Sequence, residues 1–173
     1  MENQVPNPAP PAPPKQPVWL LVAQLMIPLA YGLVQLGLSW IDGNFSWEPA
    51  ILLAIGAMLG VGVLVADRWY LYTLYEDQNV AVPGLVTRSM VFMLALIPLG
   101  VFIMSSSGSR LGVGVLMGVM AGLVLELWWY HRIPELFHRT FLFQVKREYN
   151  QDEIKTMVYV ATLALGIATM LLF

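Results

Sequence analysis

Leu111 to Tyr130 reads LGVGVLMGVMAGLVLELWWY, a run whose only charge is Glu126, with glycine at 114, 118 and 122 and three aromatics at its end. A bilayer's hydrocarbon core is about 30 Å thick and takes about 20 apolar residues of helix to cross. The stretch therefore predicts a transmembrane helix. Working outward, Val18 to Trp40, Pro49 to Ala66, Ser89 to Met104 and Thr156 to Phe173 are apolar runs of similar kind. The fold class that follows is all-α: a polytopic membrane protein, a bundle of five transmembrane helices over about 18–40, 49–70, 88–105, 110–130 and 155–173, with a cytoplasmic interfacial amphipathic helix over about 134–149.

The charges assign a direction to that bundle. Threading the five spans leaves Lys15, Arg68, Arg88, Arg132, Arg139, Lys146, Arg147 and Lys155 on one side and Arg110 alone on the other. Cytoplasmic loops carry the excess of Lys and Arg, so the N-terminus is expected in the cytoplasm and the C-terminus on the far side. The aromatic belts agree with this orientation. Trp19, Trp69, Tyr70, Trp128, Trp129 and Tyr130 gather at the cation-rich end, and Trp40, Phe45 and Trp47 at the other. A multi-pass protein of a bacterial or archaeal cell membrane is the expected setting.

Composition removes several classes of function. Of 173 residues 58% are hydrophobic and 12% charged, against about a quarter charged in an average soluble domain. A net charge of −2 offers no clustered basic face for nucleic acid. The chain has no cysteine, which excludes disulfides, thiolate nucleophiles and cysteine-held metal or iron–sulfur centres. Val18 to Trp40 exceeds the roughly 7–15-residue core of a signal peptide and follows no basic cluster, so it is expected to remain as the first helix. The outer loops, 41–48 and 105–110, are too short to fold as a receptor domain.

Residues 1–17 hold seven of the twelve prolines, a composition that favours extended polyproline II over helix or sheet and reads as a disordered cytoplasmic tail, with residues 18–173 as the transmembrane helical domain. Within the tail, Pro10, Pro13 and Lys15 fit a PxxPxK ligand pattern for an SH3-like groove, which a proline-rich spacer matches easily by chance.

Polar and small residues inside the spans are the candidates for chemistry. Gln24, Tyr31, Gln35 and Ser39 return to one face of the first helix, with Pro28 on the same seam. Such groups hydrogen-bond between helices in lipid, or line a substrate or ion path. Gly56 and Gly60 make a GxxxG pair in the second span, and Gly114, Gly118 and Gly122 form a four-residue stripe that continues into Glu126. Glycine strips the side chain from a helix ridge and lets another helix approach closely. Glu126 is thus expected to face protein, paired with Arg68 at similar depth or with Arg88 a little nearer the surface, or to act as a protonatable or cation-binding carboxylate, or to snorkel to the interface.

Past the fourth span, His131, Glu135 and His138 share a helical face, and Glu135 with His138 has the Glu-x-x-His spacing of di-iron bundles. A di-iron site needs a second such pair and more carboxylates than this segment supplies. No metal or other cofactor is expected, and these three residues are weak candidates only. Phe137, Phe141, Val145 and Tyr149 recur at spacing four among Arg139, Lys146 and Arg147, as in a helix lying in the headgroup plane or docking a cytosolic groove. No catalytic triad, zinc motif, phosphate loop or dinucleotide fingerprint is present, and no catalytic residue is assigned.

The expected function is accordingly that of a non-catalytic integral membrane protein working by helix association, as a subunit or scaffold of a membrane assembly. Its partners would be the bilayer and a membrane protein or a second copy of the chain. A small transporter component with a polar cavity between the first and fourth helices is the alternative, and a metal-dependent membrane enzyme a distant one.

Overall fold

In the computed structural model the described residues are 17–43, 45–76, 86–103, 105, 108–147 and 149–172; the proline-rich tail reading lies outside them. Their regular structure is helical: α1 (Val18–Ile41), α2 (Glu48–Glu76), a 3₁₀ turn (Val86–Arg88), α3 (Met90–Phe102), α4 (Arg110–Tyr130), α5 (Pro134–Phe141) and α6 (Gln151–Leu172). Four of these, α1, α2, α4 and α6, are long and apolar enough to cross a membrane. The chain is a helical membrane protein.

α4 is the axis of the bundle and the most deeply buried of the long helices, whereas α6 is the least. Its most extensive partner is α2, followed by α1 and α6. α2 and α4 run parallel, with Leu53 level with Gly114, Ala57 with Gly118, Leu64 with Gly122 and Arg68 with Tyr130. Two such helices close because glycine faces backbone there. A Cβ on Gly56 would overlap the Leu111 carbonyl, and one on Gly118 would overlap Ala57. α1 is antiparallel to both, as Gln24 lies at the level of Gly122 and Glu126 while Gly32 packs against Ala50 and Ala54. α6 is also antiparallel to α4, with Trp128 bonded to Thr162 while Leu165 and Ala168 pack against the cluster of Leu53, Val113 and Met117.

As an α-helix α3 is shorter than the expected span of 88–105, with Ile103 and Ser105 beyond it in π-helical geometry. Its 13 residues rise about 20 Å, short of a full hydrocarbon thickness. The start is set by Ser89, whose Oγ accepts the Phe92 N–H at 3.1 Å as an N-cap, and by the preceding 3₁₀ turn that directs Arg88 inward. α3 nonetheless runs alongside α4, from Arg88 at the level of Glu126 to Ile103 beside Gly112. The other bounds also shift: α2 continues to Glu76, past the expected 70, and α6 begins at Gln151. There the Glu153 carboxylate reaches back to accept Asn150 N–H at 2.9 Å, one half of a capping box, while Asn150 Oδ1 accepts Gln151 N–H at 2.7 Å.

The segment 134–149 is not one helix lying on a surface. α5 opens with Pro134 in its first turn and stops at Phe141, after which Leu142 leaves helical geometry. The apolar stripe is covered by protein: Phe137, Phe141 and Leu142 are buried among Tyr130, Ile154 and Val158. Burying each Phe away from water contributes about 1.5–3 kcal/mol. The chain then doubles back, held by Tyr149 N–H donating to His138 Nε2 at 2.8 Å and by the stacking of those two rings. A four-residue spacing marks an apolar face without saying what covers it.

Candidate functional site

One cluster of polar side chains sits inside the apolar bundle, about one helical turn from the Tyr130 end of α4. Glu126 and Arg88 are each 1% exposed and form a two-pronged ion pair, Arg88 Nε to Oε2 at 2.5 Å and Nη2 to Oε1 at 2.6 Å. The planar guanidinium fork matches a carboxylate in this way, giving direction as well as charge neutralisation. Gln24 of α1 adds its amide, Nε2 donating to Glu126 Oε1 at 3.0 Å and to the Gly122 carbonyl at 3.4 Å.

The other side of Arg88 is equally occupied. Nη2 donates to the Leu64 carbonyl at 3.4 Å and Nη1 to Thr87 Oγ1 at 3.2 Å, while Asp67 Oδ2 lies 3.6 Å from Nη1. Asp67 in turn accepts from Thr87 Oγ1 and from Thr87 N–H at 3.3 Å. A guanidinium has five N–H donors; Arg88 makes four hydrogen bonds here, with the Asp67 carboxylate adding a more distant charge contact. Among the described residues no buried side-chain nitrogen or oxygen lacks a hydrogen-bond partner.

Local sequence explains why these groups converge. The missing side chain at Gly122 leaves room for Leu64, whose Cδ1 would lie 2.5 Å from a Cβ there, and brings the Gln24 amide within reach of the helix backbone. One turn on, Glu126 presents from the same ridge of α4. Arg88 arrives from the 3₁₀ turn, directly before the Ser89 cap, so its backbone is fixed at the point where its side chain enters the core. The cluster ties α1, α2, the 3₁₀ turn and α4 into one unit, with charge exposed to the outside only at Asp67, 15% accessible.

The remaining candidates lie elsewhere. Arg68 donates to the Tyr130 hydroxyl at 3.3 Å, so of the two cations considered for Glu126 it is Arg88 that holds the carboxylate. The α1 seam divides: Gln24 serves α4, Tyr31 shares a hydrogen bond with Thr169 of α6, Gln35 is half-buried and Ser39 bonds back to the Leu36 carbonyl of its own helix at 2.9 Å. Gly56 and Gly60 face Gly114, Val115 and Val119 across the α2–α4 contact.

His131, Glu135 and His138 are not brought together. His131 Nδ1 is 2.6 Å from the Trp128 carbonyl, His138 Nε2 accepts from Tyr149, and Glu135 is exposed in the first turn of α5. No group of three His, Cys, Asp or Glu side chains among the described residues is arranged to hold a metal ion. Asp67 and Thr87 are the members of the cluster that sequence reading passed over. Asp67 sits among interfacial aromatics and reads as a headgroup residue, and Thr87 carries no spacing signal at all. No family model matches this chain, and neither a curated protein nor a solved structure is significantly similar to it.

Proposed function

We propose that the chain is a non-catalytic integral membrane protein with five crossings that works through helix association, as a subunit or scaffold of a membrane assembly. The observation that carries this reading is the closure of the α1 seam onto the α4 glycine stripe: Gln24 bonds Gly122 and Glu126 directly. A transporter cavity between α1 and α4 would instead leave these groups facing space or water. In this arrangement the buried charges are consumed in holding four chain segments together. What the bundle presents outward is apolar, with Leu29 and Leu33 of α1, Leu94 and Ile97 of α3, and Leu163 and Met170 of α6 all exposed. Those faces meet lipid, a membrane-protein partner or a second copy. The glycine positions of α2 and α4 are assigned to packing within the chain, and the Arg88–Glu126 pair to holding α3 against α4. The antiparallel run of α3 along α4 supports the fifth crossing, a short one.

Two measurements test this. Because the chain contains no cysteine, single cysteines at positions 7, 44, 79, 107 and 150 are clean reporters, and an impermeant reagent added outside intact cells is expected to label only 44 and 107. Labelling at 79 or 150 overturns the five-crossing topology. Gentle detergent extraction from the native membrane is expected to recover the chain in a stoichiometric complex or homo-oligomer. A lone monomer at native expression level, or solute uptake by proteoliposomes of the pure protein, overturns the assembly role.

A further inference from the structure

Between the Tyr130 end of α4 and the start of α6 there is an open cavity of about 70 Å³ lined by Trp128, His131, Lys155, Val158 and Tyr159. That is room for a few waters or a phosphate group, not for a whole solute. Its aromatic walls are held by contacts with one another and with α6. Trp128 Nε1 donates to Thr162 Oγ1 at 2.9 Å, and the indole meets Tyr159 on one side and His131 on the other, both edge-to-face, at 5.6 Å and 5.5 Å. His131 is held in turn by the Trp128 carbonyl.

The chemistry is graded along one ridge of α6. Lys155, Tyr159, Leu163, Ile167 and Leu171 follow at spacing four, a cation, then an amphipathic ring, then three aliphatic side chains, and from Tyr159 onward all are exposed. That is the order of polarity along a phospholipid: charged headgroup, glycerol ester, acyl chain. Among the described residues Lys155 pairs with Asp152 at 3.3 Å, in an exposed pair three residues apart that contributes little and opens readily. Arg132, next in sequence to the lining His131, is also exposed. Tyr and Trp are the residues that sit at headgroup level.

We infer that this cavity and ridge form a binding site for one phospholipid with a net-negative phosphodiester headgroup. Lys155 Nζ takes the phosphate oxygen, Trp128 and Tyr159 flank the glycerol, and one acyl chain follows Leu163, Ile167 and Leu171. The inference rests on the membrane setting proposed above but not on the assembly role, because it is read on the monomer.

The test is native mass spectrometry of the full chain in mild detergent, with palmitoyl-oleoyl phosphatidylglycerol or the matching phosphatidylcholine added. One bound phosphatidylglycerol is expected to be retained in preference to phosphatidylcholine. Lys155→Gln is expected to lower its retention about fivefold, the effect of one cation near an anionic lipid surface, with an unchanged melting midpoint. Arg139→Gln, which removes a cation at the same end but off the cavity, is expected to leave retention unaltered. Equal retention of the two lipids, or an equal loss in both variants, overturns the site in favour of diffuse charge attraction. Displacement of the lipid by millimolar inorganic phosphate overturns it in favour of a free-phosphate site.

Discussion

Arg88→Leu is expected to destabilise the bundle by about 3–5 kcal/mol, the loss seen when one member of a buried ion pair is removed and its partner is left without a counter-charge. Glu126 would lose its two-pronged partner while keeping the Gln24 amide, Thr87 and the Leu64 carbonyl would each lose a donor, and Asp67 would lose a nearby cation. Arg88→Lys should recover little, because a single ammonium cannot make the two-pronged contact and also reach Leu64 and Thr87. Arg88→Met combined with Glu126→Leu is the informative variant. Replacing both charges by apolar groups removes their desolvation cost together with their attraction, so the pair of changes should cost far less than either alone. The measurement is reversible unfolding of the full chain in detergent micelles. Arg68→Gln is the comparison, since its bond to Tyr130 lies in a half-buried setting, and it should cost well under half as much as Arg88→Leu. Equal stability of Arg88→Leu and the unaltered chain would remove the cluster from any structural role.

Why Arg88 and not Arg68 takes Glu126 illustrates what can be read from a sequence of this kind. Span length and apolar composition carry the membrane character and the helical class, because in lipid the backbone must satisfy its own hydrogen bonds. A glycine stripe running into a carboxylate directs that carboxylate toward protein, which is an argument of cost and needs no coordinates. Depth along the spans, however, puts Arg68 level with Glu126 and Arg88 a little nearer the surface, and so does not single out Arg88. The choice between them depends on a 3₁₀ turn at 86–88 and on α2 lying parallel beside α4, two helices separated by the whole of α3. The same limit governs α5. Spacing identifies Phe137 and Phe141 as one apolar face, but whether lipid or Ile154 and Val158 cover it depends on how the chain returns after Phe141. Periodicity reports a face, and only topology reports its neighbour.

Gly118→Leu is expected to prevent α2 and α4 from pairing, and Gly118→Ala to cost at least the roughly 1–3 kcal/mol typical of overpacking a dense core. The reason lies in what a new side chain would strike. At Gly118 a Cβ would lie 2.8 Å from Ala57 Cα and 2.9 Å from its carbonyl carbon, and at Gly114 it would meet Ala57 N and Gly56 Cα at 3.0 Å. These are backbone atoms of a helix that is itself hydrogen-bonded, so no rotamer change relieves the overlap and the helices must separate. Separation forfeits dispersion contacts along the whole parallel interface, not at one residue, since a gap of even 0.5–1 Å loses about a quarter to a half of each contact's attraction. Gly37, Gly62 and Gly166 provide the control, because a Cβ there meets nothing within 4 Å. Alanine at these sites should be neutral or raise stability by up to about 1 kcal/mol through helix propensity alone. One substitution type, made in the same kind of helix, is thus expected to change sign with position. Unfolding measurements on Gly118→Ala and Gly62→Ala decide the matter: if both are benign, α2 and α4 do not lie in backbone contact, and the bundle would have to be held by side-chain packing and the Arg88–Glu126 cluster without it.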